Sequence, residues 1–464
     1  MSIRLPTAPR HMSATDAGFL YLDRPHAPLQ IAAVVELSGA LSAEELAQRI
    51  ESRIARAPRY AQRAMPVPLA LGHPQWEDVP DFDPRDHIQR WALPSPAGPH
   101  ELCQLAAQLL AQPLPRTRPL WEMHLLEGAH EGGTGLLIKV HHCMVDGVSG
   151  FRLLDEILDV KPGVACERAG SPVPPPLLQG AGARVGRAIG EGLRRQLRAA
   201  GAMVGTVRHP LRARASAAAL RDAAWSALQL ATRDIPEMPW NDRLGPRREL
   251  YFARLPIEGV TRVRRARGGT LNDVVLCALA GGLHRYLGSI GVPTRGLELT
   301  ALVPVSLRRE DESGAPGNRI SALLVPLAID PEDEVARLSA TRALTDRLKT
   351  AAAWTGIDSL LHWLDDLPAG LVAAAARRLG RVRIANLVAT NVPGPREPRF
   401  LCGRPVDTIY PIVPITDGLG LGLAVFSYAG TLHVGLNADP GLVPDLEKLG
   451  RAIEEAFEEL RARS

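Results

Sequence analysis

A Pro- and Gly-rich break, "SPVPPPLLQGAG" at 171–182, separates two stretches that each mix strand-like and helix-like segments. Two α/β domains joined by a linker is the architecture this pattern favours, and 464 residues give a prior of two to three domains. No short-period repeat competes with that division. We place the boundaries at 1–160, 161–239 and 240–464. Apolar residues make up 46% and charged residues 22%, enough for large packed cores and against global disorder.

Before the break, "LQIAAVVELS" (29–38) reads as a strand, and Ser42 as the N-cap of a helix over 43–56. "GLLIKVHH" (135–142) is a second strand. Val148, Phe151, Leu154, Ile157 and Leu158 then recur at helical spacing, so a helix over 148–160 follows a tight loop. After the break, strands are expected at 248–257, 297–307 and 321–329. A hairpin over 420–439 should turn at Ala429-Gly430. Helices are expected at 258–267, 271–287, 332–350 and 443–462.

The loop between strand and helix reads "HHCMVDG", residues 141–147. Side chains alternate along a strand, so His141 and His142 face one cavity only if the strand has ended. Asp146 lies beyond a turn that Gly147 eases. Four readings are open. The pair is structural, hydrogen-bonded in a core. Or His142 and Asp146 ligate a metal, although no third ligand is evident. Or His141 and Asp146 form the His-x4-Asp motif of membrane glycerolipid acyltransferases, although apolar membrane segments are lacking. Or a histidine is a general base, since a neutral imidazole takes a proton from a hydroxyl at neutral pH.

Cys103, Cys143, Cys166, Cys277 and Cys402 form no C-x-x-C pair, which argues against a disulfide framework or structural zinc and for a reduced, cytosolic setting. A net charge of +4 does not mark a nucleic-acid binder. The N-terminal stretch has no apolar signal region and no run of about 18 apolar residues exists, so any membrane contact is expected to be peripheral.

Five ordered elements carry a resemblance. "HHCMVDG" matches the HHxxxDG motif of the CoA-dependent acyltransferases, which include chloramphenicol acetyltransferase and peptide-synthetase condensation domains. "MSATDAGFLYLDRPHAPLQIAAVVEL" is similar to the opening of the bacterial wax ester synthase/diacylglycerol acyltransferases. "RPLWEMHLLEG" carries their Pro119-Leu120-Trp121 element, and "GGTLNDVVLCALAGGLHRYL" their Asn272-Asp273 element. "LVATNVPGPREP" carries Asn391, Val392, Pro393, Gly394 and Pro395, and "SYAGTLHVGLNAD" resembles their closing hairpin. The elements span residues 12 to 460. Cys143 is a mild departure, because that motif position is often small, and 161–235 is the least matched part.

The resemblance implies a pseudo-dimer of two chloramphenicol-acetyltransferase-like α/β domains, each a mixed sheet flanked by helices, with the histidine midway along a tunnel between them. It implies acyl transfer from acyl-CoA to a fatty alcohol or a diacylglycerol, with His142 as base and no covalent intermediate. It implies no cofactor, no metal and no nucleic-acid partner. His141 would support the loop. Asp146 would pair with an Arg, for which Arg308 is a candidate, and Asn272 would stabilise the oxyanion unless it merely caps its helix. Pro119–Trp121 and Asn391–Pro395 would be architectural. Cys143 as a nucleophile is disfavoured, since nothing lowers its pKa.

Such substrates require reach to a membrane or lipid-body surface, with a cytoplasmic enzyme peripheral to it. Residues 183–215 hold eight Arg and one Glu, with Val185, Ile189, Leu193 and Leu197 at four-residue intervals. That pattern suits an interfacial helix or, equally, a helix packed on the protein with solvated Arg.

Overall fold

The structure, a computed structural model, describes residues 11–68, 71–129, 132–144, 152–164, 235–306, 320–350, 369–379 and 383–464, and isolated positions between 180 and 190. Asp146, Gly147, Arg308 and nearly all of 183–215 lie outside the described residues.

In chain order the helices are α1 (Ala14–Leu22), α2 (Ala43–Arg53), α3 (Pro99–Leu110), α4 (Arg152–Ile157), α5 (Ile257–Arg267), α6 (Leu271–Ser289), α7 (Glu334–Thr350), α8 (Ala369–Leu379) and α9 (Leu446–Ala462). The strands are β1 (Gln30–Leu37), β2 (Gln62–Met65), β3 (Gln75–Asp78), β4 (Ile88–Ala92), β5 (Trp121–Glu127), β6 (Thr134–His141), β7 (Glu249–Pro256), β8 (Leu299–Ser306), β9 (Ile320–Leu327), β10 (Leu387–Pro393), β11 (Phe400–Leu401), β12 (Arg404–Ile412), β13 (Leu421–Tyr428) and β14 (Thr431–Ala438).

Local chemistry sets several of these boundaries. Ser42 caps α2 in a reciprocal box with Glu45, and Thr270 does the same for α6 with Asp273. The helix expected over 43–56 ends at Arg53 and tightens into a 3-10 turn. The β13–β14 hairpin turns at Ala429 (φ 44°) and Gly430 (φ 85°). Two successive positive φ values give a turn whose twist matches the flanking strands.

Two mixed six-stranded sheets result, ordered β11-β12-β1-β6-β5-β4 and β7-β14-β13-β10-β8-β9. In the first, β1 and β6 run antiparallel with Gln30 opposite His141. The sheets do not divide at the linker. β12 lies far beyond it in sequence yet pairs with β1, with Ala32 opposite Ile412. On its way β12 crosses the second sheet so closely that a Cβ at Gly435 would sit 1.9 Å from the Pro411 carbonyl oxygen.

Three packed layers follow from this. Val274, Leu276, Leu283, Leu436 and Phe457 are among the residues that fill the core of the second half. Val35, Ile50, Trp121, Ile138 and Val140 fill the first, joined there by Phe426 and Tyr428 from the second sheet. Between the sheets lie Ala32, Val34 and Leu137 with Leu250 and Tyr410. A polar link also crosses: Arg254 Nε of β7 donates to the Tyr410 hydroxyl of β12 at 2.6 Å, while within the first sheet the Thr408 hydroxyl donates to Glu36 at 2.6 Å. Among the described residues no helix is long and apolar enough to cross a membrane.

Candidate active site

β6 ends at His141, one residue short of the expected strand, and His142 opens a 3-10 turn to Met144. The alternation that would set the two rings on opposite faces therefore stops between them. Strand neighbours hold both backbones. The His141 N–H donates to the Leu120 carbonyl and the His142 N–H to the Leu29 carbonyl, each at 2.9 Å. The buried Pro119-Leu120-Trp121 element thus sits beside the pair. Trp121 itself is core: fully buried, it donates to the Tyr60 carbonyl at 2.8 Å and stacks on His87 at 4.3 Å.

His141 is 3% exposed and its ring is a brace. Nδ1 accepts the Cys143 N–H at 3.1 Å, which leaves the proton on Nε2, 3.6 Å from Asp23 Oδ2. Asp23 follows the last turn of α1. Its Oδ2 also takes Arg116 at 2.8 Å, and its Oδ1 takes the Leu29 N–H at 2.8 Å. One carboxylate therefore braces His141 directly and His142 through Leu29. Burial alone would raise the Asp23 carboxyl, but His141, Arg116 and Leu29 more than offset it and hold it below its ordinary value.

His142 is half-buried, and its ring stacks on Phe19 of α1 with centroids 3.9 Å apart and planes 23° apart. Nδ1 is buried and makes no hydrogen bond to the described residues. Enough protein surrounds the ring that burial lowers its pKa to about 4. His141 adds to that shift, and the backbone at His142 opposes it. The imidazole is neutral at neutral pH. The adjacent Cys143 is buried, and burial pushes its thiol well above the ordinary value. That is the opposite of an activated nucleophile.

Asn272 and Asp273 separate in role. The N-cap of α6 is Thr270, so Asn272 is the second residue inside the helix rather than its cap, half-buried and without a described hydrogen bond. Asp273 is the capping partner, and its second oxygen accepts the Thr345 hydroxyl at 2.8 Å. No described contact joins Asn272 to the histidines. Asn391 and Pro393 belong to β10. Gly394 follows it, with its N–H on Ser427 Oγ at 3.1 Å. A Cβ there would fall 2.3 Å from the Ser427 carbonyl.

Three features were not read from the sequence. One is the Asp23 and Phe19 pair just described, which sits in a segment whose apolar spacing and terminal Asp-Arg-Pro could have marked a short helix. The second is Asp159, whose carboxylate meets the fully buried Arg49, with Arg53 at 3.3 Å, tying the end of the segment after α4 to α2. The third is Cys402, which is disulfide-bonded. The reduced set expected from the sequence therefore does not hold, although Cys103, Cys143 and Cys277 are free.

The sequence matches the wax ester synthase/diacylglycerol acyltransferase catalytic domain over residues 12–275 and the C-terminal domain of the same enzymes over 316–461. This chain belongs to that family. A putative diacylglycerol O-acyltransferase of Mycobacterium tuberculosis is 32% identical over 472 aligned positions, covering 98% of this chain and 90% of the relative. A probable diacylglycerol O-acyltransferase of the same species is 33% identical, covering 98% and 96%. The solved wax ester synthase/diacylglycerol acyltransferase from Marinobacter aquaeolei VT8 superposes with a TM-score of 0.67 at 23% identity, covering 98% of this chain and 99% of that one. The two-sheet α/β fold is thus the fold of that enzyme.

Proposed function

We propose that this chain transfers a long-chain acyl group from acyl-CoA to the hydroxyl of a diacylglycerol or fatty alcohol, with His142 as general base. The observation that carries the reading is a neutral, half-buried imidazole just past a strand end, in a turn that Asp23 braces through Leu29 and beside His141. The family and the names of its relatives supply the substrate classes.

With Nδ1 buried, the base lone pair belongs on Nε2. The acceptor hydroxyl gives its proton to Nε2 as its oxygen bonds to the thioester carbonyl carbon. A conjugate acid near 4 is too weakly basic to remove that proton in advance, so transfer accompanies C–O bond formation. The tetrahedral oxyanion then collapses. The C–S bond breaks, and the CoA thiolate takes the proton back from His142. Charges and atoms balance without an acyl-enzyme, in keeping with the raised pKa of Cys143. We assign Asn272 as the amide donor to the oxyanion, at the positive end of the α6 dipole. Asp146 is the proposed anchor of the loop beyond Met144, with Arg308 as its proposed partner. The two substrates meet in a tunnel between the sheets, and the enzyme works at a membrane or lipid-body surface that the basic 183–215 segment contacts.

Product analysis with palmitoyl-CoA, offered hexadecanol and a diacylglycerol together, tests the reading. Ester or triacylglycerol formed in step with CoA release supports it. CoA release that ignores both acceptors indicates a thioesterase and contradicts it.

A further inference from the structure

We propose that Phe19 is a positioning residue for His142, its ring fixing the imidazole plane where a hydrogen-bonded carboxylate would otherwise do so. The proposal rests on the general-base reading above. A histidine base usually donates from its second nitrogen to an acceptor, which sets tautomer and orientation. His142 has no side-chain acceptor of that kind among the described residues: Nδ1 is buried without a hydrogen bond to another residue, and only its own backbone faces the ring as an acceptor. Among the described residues the carboxylate tied to this turn, Asp23, is committed to Arg116 and the Leu29 N–H and lies beside His141. Phe19 stacks on the ring, its centroid 3.9 Å away and its plane within 23° of parallel. The last side-chain torsion of histidine is broad, so an unpartnered ring has no preferred plane of its own. A flat aromatic neighbour at stacking distance selects one.

Phe19 is itself well held. Its carbonyl accepts the Asp23 N–H at 3.0 Å, and the next carbonyl, Leu20, accepts Arg116 at 3.1 Å. α1 is packed between the 142–144 turn and α8. The titratable neighbour that acts on the His142 ring is His141, at the end of β6; Asp16, Asp23, Arg59 and Arg116 act on the adjacent Cys143. Each lies outside the stack, so removing the phenyl ring changes the imidazole's cover without removing a charge.

The test compares Phe19→Leu, Phe19→Tyr and Phe19→Ala with the wild type and His142→Ala, with melting temperatures recorded for all. Phe19→Leu keeps apolar cover and loses the flat face. Its turnover should fall about tenfold or more, with KM for palmitoyl-CoA within about threefold. Phe19→Tyr keeps the ring and should restore turnover. Phe19→Ala also admits water to the imidazole, so its rate should decline as pH falls below about 6.5, where the wild-type rate stays level. The proposal is overturned if Phe19→Leu turns over within about threefold of wild type. It is equally overturned if Phe19→Tyr is as impaired as Phe19→Leu, or if both losses merely follow the melting temperature. An inactive His142→Ala beside unaffected Phe19 variants overturns this proposal alone. An active His142→Ala overturns it together with the general-base reading.

Discussion

His141 and Asp23 stand 3.6 Å apart, Nε2 to Oδ2, and join the end of the first helix to the end of β6. The same carboxylate receives the Leu29 N–H, and Leu29 in turn receives the His142 N–H. The histidine turn is therefore fixed by a residue more than a hundred positions upstream of it.

Removing that carboxylate should loosen both histidines at once. Asp23→Ala leaves the Leu29 N–H and Arg116 without their acceptor and takes the neighbouring carboxylate away from His141 Nε2. A loss of about 1–3 kcal/mol is expected, read as a lower melting temperature with a fall in turnover. Asp23→Asn keeps an oxygen for Leu29 and should lose less. Full stability and full activity in Asp23→Ala would contradict the brace.

Asn272 and Asp273 should respond differently to alanine. Asp273 closes the capping box of α6 and holds Thr345, so Asp273→Ala should cost about 1–2 kcal/mol of stability. Asn272 has no described partner to lose. On the oxyanion assignment Asn272→Ala should keep its melting temperature and lose about 10²-fold in turnover. Unchanged turnover would remove Asn272 from the chemistry.

Acid should unfold this protein through its buried histidines. Burial lowers both His142 and His433 from 6.5 to about 4, with Arg254 adding to the shift at His433. Between those values the unfolded chain binds protons that the fold refuses. Their stabilising contribution is therefore complete above about pH 6.5 and lost as pH falls toward 4. Calorimetry from pH 8 to 4.5 should show a melting temperature level above 7 and falling below 6.5. His433→Phe should fall less steeply. Equal slopes would place the acid sensitivity elsewhere.

Residues with strong local signals were legible in the sequence. Ser42 and Glu45, Ala429 and Gly430, and the apolar runs of β1, β6, β8 and β9 each determine their own structure by capping, turn chemistry or periodicity. β12 was not legible. Its partner is β1, more than 360 residues away, and pairing over that distance leaves no local trace. α1 was missed because nine residues, with Gly18 among them, make a weak helix alone; it is stable through α8 and the histidine turn. The histidine pair was found, yet Phe19 and Asp23, which hold it, were not. A stack and a brace are properties of three-dimensional neighbours, and neither residue type is rare enough at such spacing to announce a role.

Single-turnover formation of product by His142→Ala, with palmitoyl-CoA and a diacylglycerol or hexadecanol, tests the central claim most directly. The substitution removes the imidazole and little packing beyond the Phe19 stack, so the variant should fold with a melting temperature near wild type. The expected result is a loss of about 10²–10⁴-fold in the rate of ester formation, against a smaller loss in His141→Ala that accompanies lowered stability. A folded His142→Ala protein that forms ester at the wild-type rate would contradict the account.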